Sequence, residues 1–228
     1  MQLDGVIFDL DGTLGDTLPV CFAAFRHAMS EFSSRRYTDD EIAALFGPSE
    51  EGIIRRLVPD RWQACLMTYL AAYDQESARN ARLFPGIETA LRLLKERGVA
   101  TAIVTGKGSQ SAAISLRHLG LAGHFDSVET GSPEGGIKPL AIRKVLAKWR
   151  AMPHQVAYVG DAPSDIEAAR EAGVIPLAAA WAATSEPSAL TALRPRQIFL
   201  SVDTFIEWVE KNIEANRSDA RPRVLGSP

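Results

Sequence analysis

Val6-Ile7-Phe8-Asp9-Leu10-Asp11-Gly12-Thr13-Leu14 decides the reading of this chain: an apolar run closes in two aspartates separated by one residue. Side chains on an extended strand alternate faces with period 2, which places Asp9 and Asp11 on the same side of a sheet. Gly12 permits a sharp turn directly after them, and open α/β sheets hold ligands beyond the carboxyl ends of their strands. Two clustered carboxylates at such an edge bind a hard cation, and a cation there lets a phosphoryl group approach an anionic side chain. Taken alone, the same residues fit an ordinary Asp/Gly turn equally well.

Three later segments separate the two readings. Thr105-Gly106 follows the apolar run at 99–104, Lys138-Pro139 opens a helical pattern, and Gly160-Asp161-Ala162-Pro163-Ser164-Asp165 follows the apolar run at 156–159. With Asp9-Leu10-Asp11-Gly12-Thr13, this ordered set resembles the haloacid dehalogenase-like (HAD) hydrolase superfamily, particularly its phosphoglycolate-phosphatase-like branch. The resemblance spans about residues 1–213. It is specific for the superfamily and weak for the substrate.

The periodicities agree with an α/β chain carrying a helical insert. Phe22, Phe25, Met29 and Phe32 recur at helical spacing and predict a core-facing helix over 18–33. Thr38-Asp39-Asp40-Glu41 has the form of a capping box, opening a short helix to residue 46. Gly47-Pro48 breaks it; further helices begin near Ser49 and span 60–78, and no strand pattern appears between 15 and 83. From Pro85-Gly86 onward, helices (87–97, 109–119, 139–149, 164–171, 204–212) alternate with strands (99–104, 127–129, 156–159, 175–178, 198–200). Such alternation implies a parallel sheet with right-handed crossovers. The expected fold is therefore a Rossmann-like α/β HAD core formed by 1–14 and 85–214, an α-helical cap at 15–84, and a mobile polar tail at 215–228.

Composition narrows the functional class. With 25 basic and 28 acidic side chains the chain has no electrostatic footprint for nucleic acid. Its longest uncharged apolar stretch, 174–183, contains Pro176 and is too short to span a bilayer. Cys21 and Cys65 lie in helix-like apolar patterns without disulfide or metal spacing, which favours a reducing compartment. The expectation is a cytoplasmic monomer or homodimer acting on a small phosphorylated substrate, without nucleic acid or membrane partners.

The candidate chemistry follows the motifs. Asp9 is the candidate nucleophile, since a carboxylate that attacks phosphorus splits hydrolysis into two easier steps. Spacing does not rank Asp9 against Asp11; the resemblance implies that Asp11 is the general acid and base and touches the metal through its backbone carbonyl. Thr13, the Thr105 hydroxyl, the Gly106 N–H and Lys138 are the candidate substrate-binding groups, and the resemblance implies that Lys138 is the cation that neutralises charge during transfer. Mg²⁺ is the expected cofactor, on Asp9, Asp11 and Asp161, with Asp165 behind them. Gly106 and Ala162 depart from the side chains common in the branch at those positions.

The resemblance also ranks activities. Dehalogenases of the superfamily replace the second aspartate, which is retained here. A phosphonate-cleaving relative uses a cap lysine, and residues 15–84 contain none. A phosphoric monoester hydrolase of phosphoglycolate-phosphatase type is expected; the alternatives are an inorganic pyrophosphatase, a sugar phosphomutase, or a non-catalytic ligand-binding relative. Arg55 and Arg56 lie near the expected substrate-selecting loop, where they read as surface helix residues.

Overall fold

A computed structural model of the chain describes residues 3–213; the tail expected over 215–228 lies outside them. In chain order the elements are β1 (Gly5–Phe8), β2 (Gly15–Asp16), α1 (Leu18–Phe32), α2 (Asp39–Ala43), α3 (Glu50–Leu57), α4 (Trp62–Asn80), β3 (Arg82–Leu83), α5 (Ile87–Glu96), β4 (Ala100–Val104), α6 (Ser109–His118), β5 (Ser127–Glu129), α7 (Lys138–Trp149), β6 (Val156–Gly160), α8 (Pro163–Ala172), β7 (Ile175–Ala179), α9 (Pro187–Ala192), β8 (Gln197–Phe199) and α10 (Val202–Asn212).

The apolar runs pair into one six-stranded sheet in the order β5-β4-β1-β6-β7-β8, and every pairing in it is parallel. Parallel neighbours need crossovers, and the crossover helices cover both faces, so the central strands β1 and β6 are buried along their whole length. Val6 and Phe8 of β1 enter one apolar layer with Ile103, Val159 and Phe205. Ile7 enters the opposite layer with Ile142, Tyr158 and Ala169. Burying one such large side chain stabilises by about 1.5–3 kcal/mol, so a polar residue is tolerated on β1 only past its end. The doubly wound α/β class expected from the alternation is the class observed.

Residues between β2 and β3 fold into α1–α4 around a separate apolar cluster that includes Phe22, Phe25, Met29, Ile54, Tyr69 and Tyr73. The aromatic stripe on α1 is thus core. The capping box forms as read: the Glu41 N–H donates to the Thr38 hydroxyl at 3.2 Å, and the Thr38 N–H donates to the Glu41 carboxylate at 2.9 Å.

Two expectations are corrected. The helix expected to reach residue 46 ends at Ala43. The segment read as free of strands is bracketed by β2 and β3, which pair antiparallel through Gly15–Leu83 and Asp16–Arg82; two residues are too few to show a period. Helix α9 lies in a stretch without a readable pattern. Among the described residues, no helix is long and apolar enough to cross a membrane.

Candidate active site

Strand β1 ends at Phe8, and Asp9 follows it onto the side of Ile7, the side covered by α7 and α8. The register sets Phe8 opposite Ile103 of β4 and Val159 of β6. Asp9, Thr105 and Asp161 therefore lie just beyond the carboxyl ends of three adjacent strands. Lys138 was expected in the loop before its helix; it is instead the first residue of α7, with Pro139 second, where a missing N–H costs no intrahelical bond. Its ammonium donates to Asp9 Oδ2 at 2.9 Å and to Asp165 Oδ1 at 2.5 Å. The Leu10 N–H donates to the other Asp9 oxygen at 2.8 Å.

Asp161 is drawn to the same point by the loop after β1. The Thr13 hydroxyl donates to Asp161 Oδ1 at 2.8 Å. Gly12 adopts φ +74°, and a Cβ there would stand 2.2 Å from Asp161 Oδ2, so both its conformation and its surroundings demand glycine. Asp165, fully buried in the first turn of α8, accepts from the Ala162 N–H at 3.0 Å, and the Tyr158 hydroxyl lies 3.1 Å from it. One oxygen from each of Asp9, Asp161 and Asp165 falls within 4.8 Å of the others.

This concentration of buried charge shifts Asp9, Asp161 and Lys138. Burial lifts the Asp9 carboxyl to about 6, aided by Asp165 and Asp11 and opposed by Lys138. Burial, with the like charges of Asp165 and Asp9, raises Asp161 well above the usual carboxylate range. Burial works against the Lys138 ammonium, but the carboxylates of Asp165 and Asp9 more than offset it and hold its pKa well above the ordinary value. Three buried carboxylates beside one ammonium form an all-oxygen donor set with unneutralised charge, which suits a hard divalent cation.

Asp11 does not join this cluster. The Asp9 N–H still donates to the Val159 carbonyl at 2.9 Å, but the chain turns out of the sheet after it, so strand alternation does not set Asp11. The Asp11 carboxylate instead accepts from the Thr17 hydroxyl at 2.5 Å and pairs with Lys107 Nζ at 3.2 Å. Thr105, buried directly after β4, accepts from the Lys107 N–H at 3.3 Å. A Cβ on Gly106 would meet only Lys138 Cε, at 3.9 Å, so Gly106 and Lys138 are neighbours.

The sequence pattern of the haloacid dehalogenase-like hydrolases matches residues 6–179. The chain belongs to that family. Among curated relatives, this HAD hydrolase is 30% identical over 179 residues to the tyrosine-protein kinase PtkA of Mycobacterium tuberculosis; the match covers 77% of this chain but only 62% of that protein's length. It is 30% identical over 191 residues to the phosphoglycolate phosphatase of Synechococcus elongatus, covering 83% of this chain and 90% of that one. It is 28% identical over 187 residues to the pyrophosphatase PpaX of Anoxybacillus flavithermus, covering 79% and 85%. The fold is that of a predicted phosphoglycolate phosphatase from Haemophilus somnus, with a TM-score of 0.78 at 22% identity over 91% of this chain and 98% of that one.

Three residues of this HAD hydrolase's site carry no motif signal. Lys107 is 5% exposed and lies between Asp11, Cys21 and Glu50, although a lysine two residues past a strand ordinarily reaches water. Glu50 enters from α3. Tyr158 reaches the site from mid-strand, its hydroxyl 2.8 Å from the Val104 carbonyl oxygen. Its position inside an apolar strand was the one available hint, because a buried tyrosine hydroxyl needs a partner. Arg55 pairs with Glu51 and stacks 4.2 Å from the Trp62 ring centroid, and Arg56 is exposed.

Proposed function

We propose that this HAD hydrolase is a Mg²⁺-dependent phosphatase that acts on a small phosphorylated metabolite of phosphoglycolate type through an aspartyl-phosphate on Asp9. The supporting observation is the Asp9 carboxylate itself, which is 7% exposed beyond the central strand, paired with Lys138 at 2.9 Å, and clustered with Asp161 and Asp165. The similarity to the phosphoglycolate phosphatase of Synechococcus elongatus supports the substrate class.

In this reading an Asp9 oxygen attacks phosphorus as the ester P–O bond breaks, and the Asp11 carboxyl gives its proton to the leaving oxygen. Water then passes a proton to Asp11 and attacks the same phosphorus. The bond to Asp9 breaks, inorganic phosphate leaves, and the Asp9 carboxylate is restored. Lys138 balances charge on Asp9 and on the transferring group, while the Thr105 hydroxyl, the Gly106 N–H and Thr13 hold and frame the phosphoryl oxygens. Asp9, Asp161 and the Asp11 main-chain carbonyl are the groups that would hold Mg²⁺, with Asp165 supporting them; when bound, it neutralises the anions that otherwise repel a phosphate. Residues 15–84 act as a cap over a core of 1–14 and 85–214, a division supported by their separate apolar cluster. The buried free thiols of Cys21 and Cys65 support a reducing, cytoplasmic setting.

The similarity to PpaX favours pyrophosphate as the second substrate to test. Phosphate release is measured from a panel containing phosphoglycolate, pyrophosphate and sugar phosphates, with and without EDTA. Mg²⁺-dependent release that Asp9→Asn abolishes is expected. No release from any compound would overturn the reading and leave a non-catalytic relative.

A further inference from the structure

Main-chain bonds hold most of the turn that follows β1. The Gly12 N–H donates to the Gly15 carbonyl at 2.9 Å, and the Leu14 and Gly15 N–H groups both donate to the Leu10 carbonyl at 3.0 Å. The Leu14 carbonyl accepts from the Phe84 N–H at 3.1 Å. Thr13 is served differently: its carbonyl accepts from the indole N–H of Trp181 at 3.0 Å, across 168 positions of sequence. Thr13 is fully buried, and a buried carbonyl is costly to leave without a donor.

Trp181 comes from a different strand end. It follows β7 by two residues, and the sheet order places β6 between β7 and β1. Neighbouring strands lie about 4.8 Å apart, so a group leaving β7 has about 10 Å to cover before it meets one leaving β1. Tryptophan covers that span with a rigid ring and only two rotatable bonds. Its own footing is firm. The Ala180 N–H donates to the Phe199 carbonyl at 2.8 Å, and the indole packs 6.1 Å from the Phe205 ring centroid, against the apolar layer that holds Val6 and Phe8.

The residue that takes this bond on its carbonyl places its hydroxyl on Asp161 Oδ1, at 2.8 Å. Asp161 leaves β6, the strand in between. Thr13 thus joins the ends of β7 and β6, and any freedom in its main chain becomes freedom in the donor that fixes the Asp161 carboxylate. We infer that Trp181 is a positioning residue: its indole N–H fixes the Thr13 carbonyl, so that the Thr13 hydroxyl keeps Asp161 in the cluster with Asp9 and Asp165. The metal part of this inference rests on the phosphatase reading above.

The test separates this role from the packing of a large ring on the core. Trp181→Phe keeps an aromatic ring beside Phe205 and removes the donor. Mg²⁺ affinity is measured by calorimetry, without substrate, in wild type, Trp181→Phe, Thr13→Val and the double variant. Losing a hydrogen-bond partner of a metal-binding side chain commonly weakens affinity by about 10- to 100-fold, and Trp181 stands one bond further out, so Trp181→Phe alone weakens Mg²⁺ binding at least about fivefold. In the Thr13→Val background no hydroxyl remains to be aimed, and the same substitution changes affinity by less than about twofold. Unchanged affinity in the single variant, or equal loss in both backgrounds, would overturn the inference. Benzothienylalanine at position 181 has the shape of tryptophan without its N–H, so it carries the test even where Trp181→Phe folds poorly.

A second readout needs no metal. In hydrogen exchange on the full chain in EDTA, Trp181→Phe speeds exchange of the Leu14 and Gly15 amides at least about fivefold, while the amides of β4 stay within about twofold of wild type. Unchanged exchange at Leu14 and Gly15, or equal acceleration in β4, would refute the positioning role. If wild type binds no Mg²⁺, the metal-dependent reading fails by itself, and the exchange measurement still decides whether Trp181 holds the turn.

Discussion

The Thr13 hydroxyl donates to Asp161 Oδ1 at 2.8 Å, tying together two loops 148 residues apart. Thr13 is fully buried, and its bond opposes the burial and like charge that push Asp161 toward its neutral form. A buried acceptor deprived of its donor costs about 1–3 kcal/mol. Thr13→Val is therefore expected to lower the free energy of unfolding by about that amount and to weaken Mg²⁺ binding, and Thr13→Ser to restore both. Urea unfolding and calorimetric Mg²⁺ titration measure the two effects; a valine variant that binds Mg²⁺ as tightly as wild type contradicts this role.

Gly12 sets the same carboxylate from the other side. Its φ of +74° costs an L-residue about 1–2 kcal/mol, and the new methyl would overlap Asp161 Oδ2. Gly12→Ala should retain the wild-type circular dichroism spectrum yet release phosphate at least about tenfold more slowly. Full activity in that variant would mean that Asp161 is free to move without consequence.

Stability of the metal-free protein carries a pH signature of Asp9. Its carboxyl is lifted from 3.8 when unconstrained to about 6 in the fold, so between those values the folded protein holds a proton that the unfolded chain has released. Stability from this group is complete below about pH 4 and is lost as pH rises through 6, with a slope of at most about 1.4 kcal/mol per pH unit. Asp9→Asn removes that slope. The difference in urea unfolding free energy between wild type and Asp9→Asn, followed in EDTA from pH 4.5 to 7.5, should move in favour of the asparagine variant; a difference that stays flat would show that Asp9 ionises normally.

Tyr158 shares its hydroxyl between the Val104 carbonyl and Asp165 Oδ1. Tyr158→Phe leaves both acceptors one donor short, at a cost of about 1–2 kcal/mol, and loosens the Asp165 carboxylate that holds Lys138. Thermal unfolding should report the lower stability, and turnover should fall less than in Lys138→Met, because Lys138 still contacts Asp9. An equal fall in both variants would show that Tyr158 touches the chemistry directly.

The extent to which the site could be read in advance follows the range of the forces involved. The parity of Ile7 and Asp9 is local, and Asp9 continues it to the side of α7 and α8. The same rule does not govern Asp11, because the chain turns out of the sheet after Asp9. Lys138 and Asp161 were legible only as members of an ordered motif set. Glu50 and Lys107 were invisible, since each looks like an ordinary surface charge until α3 is laid against the start of α6.

The order of residues alone determined the α/β alternation, the apolar central strand, the helical insert and the four segments that carry the acidic and basic groups. These properties depend on side-chain period and turn chemistry, which act over a few positions. Only the tertiary structure decided which charges face one another, that Asp11 turns to Lys107 and Thr17, and that a lysine and a glutamate from separate parts of the fold meet away from water. Coulombic energies depend on distance and on the surrounding dielectric, and neither exists for two residues until the packing that brings them together is complete.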